Sequence, residues 1–121
     1  MQVRGIRGAI TVEENSESAI LAATQDLLKE LVNRNPGLAT EDIANTWFTV
    51  THDLDTAFPA KAARQMGWEL VPMMCSLEIP VPGSLPMCIR VLVNWNTAKQ
   101  QDEINHVYLK NAVRLRPDLS K

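Results

Sequence analysis

A chain of 121 residues, 45% hydrophobic and 21% charged, has the length and composition of one globular domain, expected to span residues 1–121 with no room for a second catalytic unit. Twelve Lys and Arg against 14 Asp and Glu give a net charge of −2, so no global positive field exists to draw the chain to nucleic acid. No signal-like N-terminus and no run of about 18 apolar residues is present, so no membrane partner is expected, and the expected location is the cytoplasm.

Residues 2–12, QVRGIRGAITV, alternate β-branched residues with glycine. That suits a strand with close backbone approaches at Gly5 and Gly8, on which Val3, Gly5 and Arg7 share a face. Asn15 or Ser16 can cap the next segment, where Ile20, Thr24, Leu27, Leu28, Leu31 and Val32 recur at spacings of three and four as far as Asn35-Pro36-Gly37. This is an amphipathic helix of about five turns. Thr40-Glu41-Asp42 reads as a cap opening a brief helical turn, and Thr46 to Thr51 is dense in β-formers and predicts a second strand.

The segment Phe58 to Gly67, FPAKAARQMG, has proline at its start and glycine at its end, the asymmetry of a short helix that puts Lys61 and Arg64 on one side. Val71 to Leu77 predicts a strand, and Pro80, Pro82, Gly83 and Pro86 a loop. From Met87 to Asn96, Ile89, Val91, Val93 and Trp95 fall on one face of a strand, with Cys88, Arg90, Leu92 and Asn94 on the other. His106 to Leu109 alternates again, and Arg114 to Leu119 closes the chain. This order predicts an α/β (α+β) protein, a sheet with its helices packed on one face.

Arginine is the residue type that stands out. Arg4, Arg7, Arg64, Arg90, Arg114 and Arg116 all lie in or beside predicted elements of an acidic chain. Most arginines are surface charges or structural ion pairs, but Arg90 sits in mid-strand among apolar neighbours, where an unpaired guanidinium is costly. Several arginines converging would hold a small polycarboxylate through forked hydrogen bonds. Taken alone, Glu78 reads as a solvated loop carboxylate, Cys75 as core filling, and Trp47, Trp68 and Trp95 as core or subunit contacts. Cys75 and Cys88 belong to no CxxC or paired-histidine pattern, so both are expected as reduced thiols. His52 and His106 have no nucleophile at a motif spacing, and no GxGxxG, Walker loop, HExxH or EF-hand pattern occurs. No metal and no cofactor is therefore expected.

The segments VRGIRGAITV, FPAKAAR, CSLE, CIRV, HVYL and LRPDL together resemble the monofunctional, AroH-type chorismate mutases, from about residue 3 to residue 119 and in the family's order. The resemblance implies a mixed, roughly five-stranded sheet with one long and one short helix. It also implies a homotrimer forming a pseudo-α/β barrel, with active sites at the subunit interfaces. The implied activity is an isomerase reaction, chorismate to prephenate in phenylalanine and tyrosine biosynthesis, with no cofactor or metal. Carried over by motif, Arg7 and Tyr108 would hold a substrate carboxylate, Arg90 would reach the ether oxygen, and Glu78 would accept from the ring hydroxyl. Cys75 would sit beside Glu78 in the same pocket, with Ser76 and Leu77 between them in sequence. Phe58, Ala60, Lys61 and Arg64 of the FPAKAAR helix would form the wall with Met73 and Met74, both larger than the small β-branched residues expected there. Leu115 and Arg116 would fold over the mouth.

An internal pericyclic shift needs no nucleophile or proton transfer, which agrees with the missing triad. An enzyme can supply conformer selection and stabilisation of the negative charge that grows on the ether oxygen. The alternative from another class is a non-catalytic trimeric sensor of an aromatic-pathway carboxylate, which would bind chorismate or prephenate and convert neither.

Overall fold

The computed structural model of the chain describes residues 1–118, and Leu119, the last residue of the LRPDL motif, lies outside them. Five strands, β1 (Gln2–Thr11), β2 (Ile43–Val50), β3 (Met73–Leu77), β4 (Cys88–Thr97) and β5 (Val107–Leu109), are joined by two α-helices, α1 (Glu17–Arg34) between β1 and β2 and α2 (Pro59–Gln65) between β2 and β3. The strands form one mixed sheet in the order β3-β2-β4-β1-β5. β4 pairs antiparallel with both β1 and β2, and the edge strands β5 and β3 run parallel to β1 and β2.

Each element has a local cause. The Ser16 hydroxyl caps α1 by accepting from the Ala19 amide at 3.2 Å. Asn15 instead links two loops: its Oδ1 accepts from the Asp55 amide and the Thr56 hydroxyl. In α1, Ile20, Thr24, Leu27, Leu28 and Leu31 are buried against the sheet, as the spacing predicts, while Val32 is only partly covered. The turn at Thr40–Asp42 is a 3-10 helix, but Ala39 occupies its cap position without a side-chain bond, so Thr40 is not the cap. β2 starts at Ile43, three residues earlier than its run of β-formers, because Ile43 pairs with Trp95 across an irregularity between Ile43 and Asn45. Pro59 opens α2 and Gly67 follows it with φ +96. The sequence gives no hint of the 3-10 helix at Lys110–Leu115.

The core lies on one side of the sheet. Ile6, Ile10, Phe48, Ile89, Val91 and Val93 meet Leu27, Leu28 and Leu31 of α1 and Ala60 and Ala63 of α2. Gly8 permits this closeness. A Cβ there would stand 3.0 Å from Val91 Cγ1 and 3.2 Å from Leu27 Cδ1. Both helices thus cover the same face, as the element order implies.

Among the described residues the opposite face is covered only at one end, where Ala9, Cys88, Tyr108 and Ala112 form a small second cluster with Leu85 and Leu115. The remainder is open, and Trp47, Leu92, Met74 and Val3 are exposed. Of the tryptophans expected as core or subunit contacts, Trp68 and Trp95 are core residues and Trp47 is 47% exposed within the chain.

Candidate active site

Strand register gathers distant parts of the sequence on the open face. Ser76 is opposite Thr49, Thr49 opposite Arg90, Arg90 opposite Ala9, and Ala9 opposite Tyr108. One row therefore crosses all five strands, and side chains two residues away along each strand share its face. The adjacent row reads Met74, Trp47, Leu92, Arg7. Between the rows lies an open depression of about 420 Å³ lined by Arg7, Trp47, Thr49, Ser76, Glu78 and Arg90.

Three devices set these side chains. Met87 has φ +52, a conformation few side chains adopt. It is held there by the Asp53 carboxylate, which accepts its amide at 3.1 and 3.2 Å, while Val12 donates to its carbonyl at 2.8 Å. Thr51 Oγ1 then accepts the Cys88 amide at 3.0 Å, so β4 begins at a fixed register two residues before Arg90. On β1, the amide of Arg7 donates to His106 Nδ1 at 2.9 Å, a side-chain bond just ahead of the Gly8–Val107 ladder. The third device is a pair of asparagines. Asn35, 1% exposed, donates to the Leu31 and Asn105 carbonyls and accepts the Asn105 amide. That lock ties the end of α1 to the segment entering β5, and so fixes His106 and Tyr108.

The charges are arranged for an anion. Arg90 Nη1 lies 3.5 Å from Glu78 Oε1, with the two side chains 24% and 22% exposed, and Glu78 Oε2 accepts the Thr49 hydroxyl. Among the described residues, Arg90 Nε and the Tyr108 hydroxyl are buried without a hydrogen-bond partner. Unmet donors of this kind are costly unless something supplies an oxygen, and both stand in the same cross-sheet row. Glu78 is thus not the solvated loop carboxylate that its sequence position suggests. Burial pushes the Cys88 thiol above its ordinary value, the Arg90 cation acting in the opposite sense; it is a neutral thiol on the same face as Arg90, in the small second cluster. Burial, and then the Arg7 and Arg116 cations, lower the pKa of His106, which suits its use as a neutral acceptor.

The other expected residues lie elsewhere within one chain. Cys75 does not share a pocket with Glu78. Strand alternation turns Cys75 to the helix side and Ser76 to the open face, so Cys75 joins Phe58, Lys61 and Leu77 in a second depression of about 560 Å³. There Lys61 Nζ pairs with Glu17 at 3.3 Å. Ala60 is buried in the core and Arg64 is exposed in the last turn of α2. Met73 and Met74 line a third hollow with Trp47, on the β3 side of the sheet. Leu115 packs on the small second cluster, and Arg116 pairs with Asp118 at 2.8 Å. Thr49, Trp47 and Leu92 also line the first depression, although none of them stands out in the sequence as a site residue. The alternation of β4 put Leu92 on the face of Arg90, but nothing in sequence gave the register that sets Thr49 and Trp47 of β2 against it.

A five-strand mixed sheet with two helices on one face, and two arginines with a glutamate on the other, is the arrangement to compare with known proteins. A family model described as chorismate mutase type I matches residues 3–119. The chain belongs to this family. It is 57% identical over 117 residues to the chorismate mutase AroH of Thermus thermophilus, covering 97% of this chain and 96% of that protein. It is 46% identical over 121 residues to the chorismate mutase AroH of Bacillus subtilis (strain 168), covering 99% and 94%. A solved structure of a chorismate mutase from Clostridium thermocellum superposes with a TM-score of 0.87 at 55% identity, over 89% of this chain and 96% of that one. The expected family and the five-stranded fold thus stand, and among the described residues no helix is long and apolar enough to cross a membrane.

Proposed function

We propose that this protein is a chorismate mutase, an isomerase that converts chorismate to prephenate on the route to phenylalanine and tyrosine. The observation that carries the chemistry is the open-face depression in which Arg7 and Arg90 stand with Glu78. Chorismate brings two carboxylates, an ether oxygen and a ring hydroxyl. In the rearrangement the ether carbon–oxygen bond breaks as a carbon–carbon bond forms, all within one molecule, so no proton or electron has to be supplied.

Arg7 and Tyr108 take a carboxylate and restrict the side chain of the substrate to the compact conformer, which removes much of the entropic barrier. Arg90, whose Nε lacks a partner, donates to the ether oxygen as negative charge gathers there; the interaction strengthens in the transition state and so acts on kcat. Glu78 accepts from the ring hydroxyl.

The working unit is a homotrimer with sites between subunits. Supporting this, the sheet face bearing Trp47, Leu92 and Met74 is exposed in a single chain, and the expected wall residues Phe58, Lys61 and Cys75 lie in a depression separate from that of Arg7, Glu78 and Arg90. A neighbouring subunit brings the second half of each site against the first, with Leu115 and Arg116 at the mouth. Substrate and product are the only small molecules required, and the protein works in the cytoplasm.

The decisive experiment follows the ultraviolet absorbance of chorismate with purified protein and no added metal, with sedimentation in parallel. Loss of absorbance with stoichiometric prephenate is expected from a trimer. A trimer that binds chorismate without converting it would overturn the assignment.

A further inference from the structure

Glu78 stands just beyond β3, its amide held by the Val50 carbonyl at 2.9 Å. From there its side chain reaches back over the open face and divides its two oxygens. Oε2 accepts the Thr49 hydroxyl, and Oε1 faces Arg90 Nη1 at 3.5 Å. Thr49 is the residue between them in the sheet, opposite Ser76 on one side and Arg90 on the other. The geometry therefore gives Glu78 a tether that is neither substrate nor arginine.

We infer that Thr49 is a positioning residue for the rearrangement, its hydroxyl holding the Glu78 carboxylate off the Arg90 guanidinium. Carboxylate and guanidinium close readily into a forked pair with two parallel hydrogen bonds. At 3.5 Å, through one nitrogen, the pair in this site is not closed. If it did close, the donors of Arg90 would be occupied before the substrate arrived, and Glu78 would be drawn away from the ring hydroxyl. The hydroxyl of Thr49 competes for one carboxylate oxygen and keeps both charged groups available to substrate. The inference rests on the reading that Glu78 touches the substrate.

The test compares kcat and KM for wild type, Thr49→Val, Thr49→Ser, Glu78→Gln and the double variant Thr49→Val/Glu78→Gln, with chorismate as substrate and thermal melts alongside. Valine keeps the shape and β-branching of threonine and removes the hydroxyl; serine keeps the hydroxyl. Thr49→Val is expected to lower kcat/KM about tenfold, mainly by raising KM, and Thr49→Ser to stay within about twofold of wild type. In the Glu78→Gln background, Thr49→Val is expected to add less than about twofold, because groups acting as one unit are not additive. Should Glu78→Gln match wild type, the reading of Glu78 fails and takes this inference with it. Should Glu78→Gln be impaired while Thr49→Val is fully active, the inference alone is refuted. It is equally refuted if the two losses multiply in the double variant, or if Thr49→Ser is as impaired as Thr49→Val, since the residue would then act only through packing.

Discussion

Replacing Arg90 by alanine separates a catalytic cation from a structural one. Two unit charges about 3 Å apart at an effective dielectric near 20 interact by about 5.5 kcal/mol. With about half a charge on the ether oxygen at the transition state, the loss is about 3 kcal/mol or above, at least two powers of ten in kcat/KM. The fold has less at stake. Among the described residues Arg90 makes one ion pair, at 3.5 Å and about a quarter exposed; when it is removed, Glu78 keeps the Thr49 hydroxyl and gains water. The expected stability loss is about 1 kcal/mol, a few degrees in Tm. The assay is initial rates of chorismate loss beside calorimetric melts, on protein whose oligomeric state is checked. A variant retaining more than about a tenth of wild-type kcat/KM, or one whose activity falls only as fast as its Tm, would show that Arg90 is a structural ion pair and remove the centre of the mechanism.

Three further outcomes follow from the same geometry. Cys75→Ser should change kcat by less than about threefold, because the rearrangement uses no nucleophile; complete inactivation in the absorbance assay would contradict the mechanism. Gly8→Ala should cost about 1–3 kcal/mol and several degrees in Tm, since the new methyl meets fully buried Val91 and Leu27 at 3.0 and 3.2 Å and the Val107 carbonyl at 3.4 Å; an unchanged melt would show that these neighbours yield. His106 is held below its ordinary pKa of 6.5 in the folded chain, so the folded state binds fewer protons than the unfolded state. Its contribution to stability is complete above about pH 6.5 and is lost as pH falls from there towards the folded value. Melts between pH 7.5 and 5.5 should therefore show a steeper decline in wild type than in His106→Asn, and equal slopes would refute that role.

Much of this architecture is legible in the sequence because the period of each element is written in side chains. The α1 stripe from Ile20 to Leu31 and the alternation of β4 around Arg90 fix which faces are buried. Proline and glycine mark the ends of α2. Arg90 stands out in mid-strand, whereas Glu78 reads alone as a solvated carboxylate and becomes a candidate only through the motif set that supplies the family. What could not be read is pairing across the sheet. Only register reveals that Thr49 lies between Ser76 and Arg90, or that the Arg7 amide ends on His106. Cys75 differs for a local reason. Its distance from Glu78 in sequence is short, yet the odd spacing sends the two to opposite faces of the sheet.

The row that crosses all five strands also bears on how the molecule comes together. Ala9 meets Tyr108 and Arg90 meets Thr49, so the site is made from contacts between residues far apart along the chain. Pairings of this kind close late, after the entropy of long loops has been lost. β1 lies between β4 and β5, and until β5 docks, its outer edge presents unpaired amides and carbonyls around Gly8 and Ala9. A β1 edge left bare there would be a template for strand exchange. Val107 to Leu109 pair with Gly8 to Ile10, so three residues both complete the row that carries Tyr108 and cover the stretch of the β1 edge that borders the site.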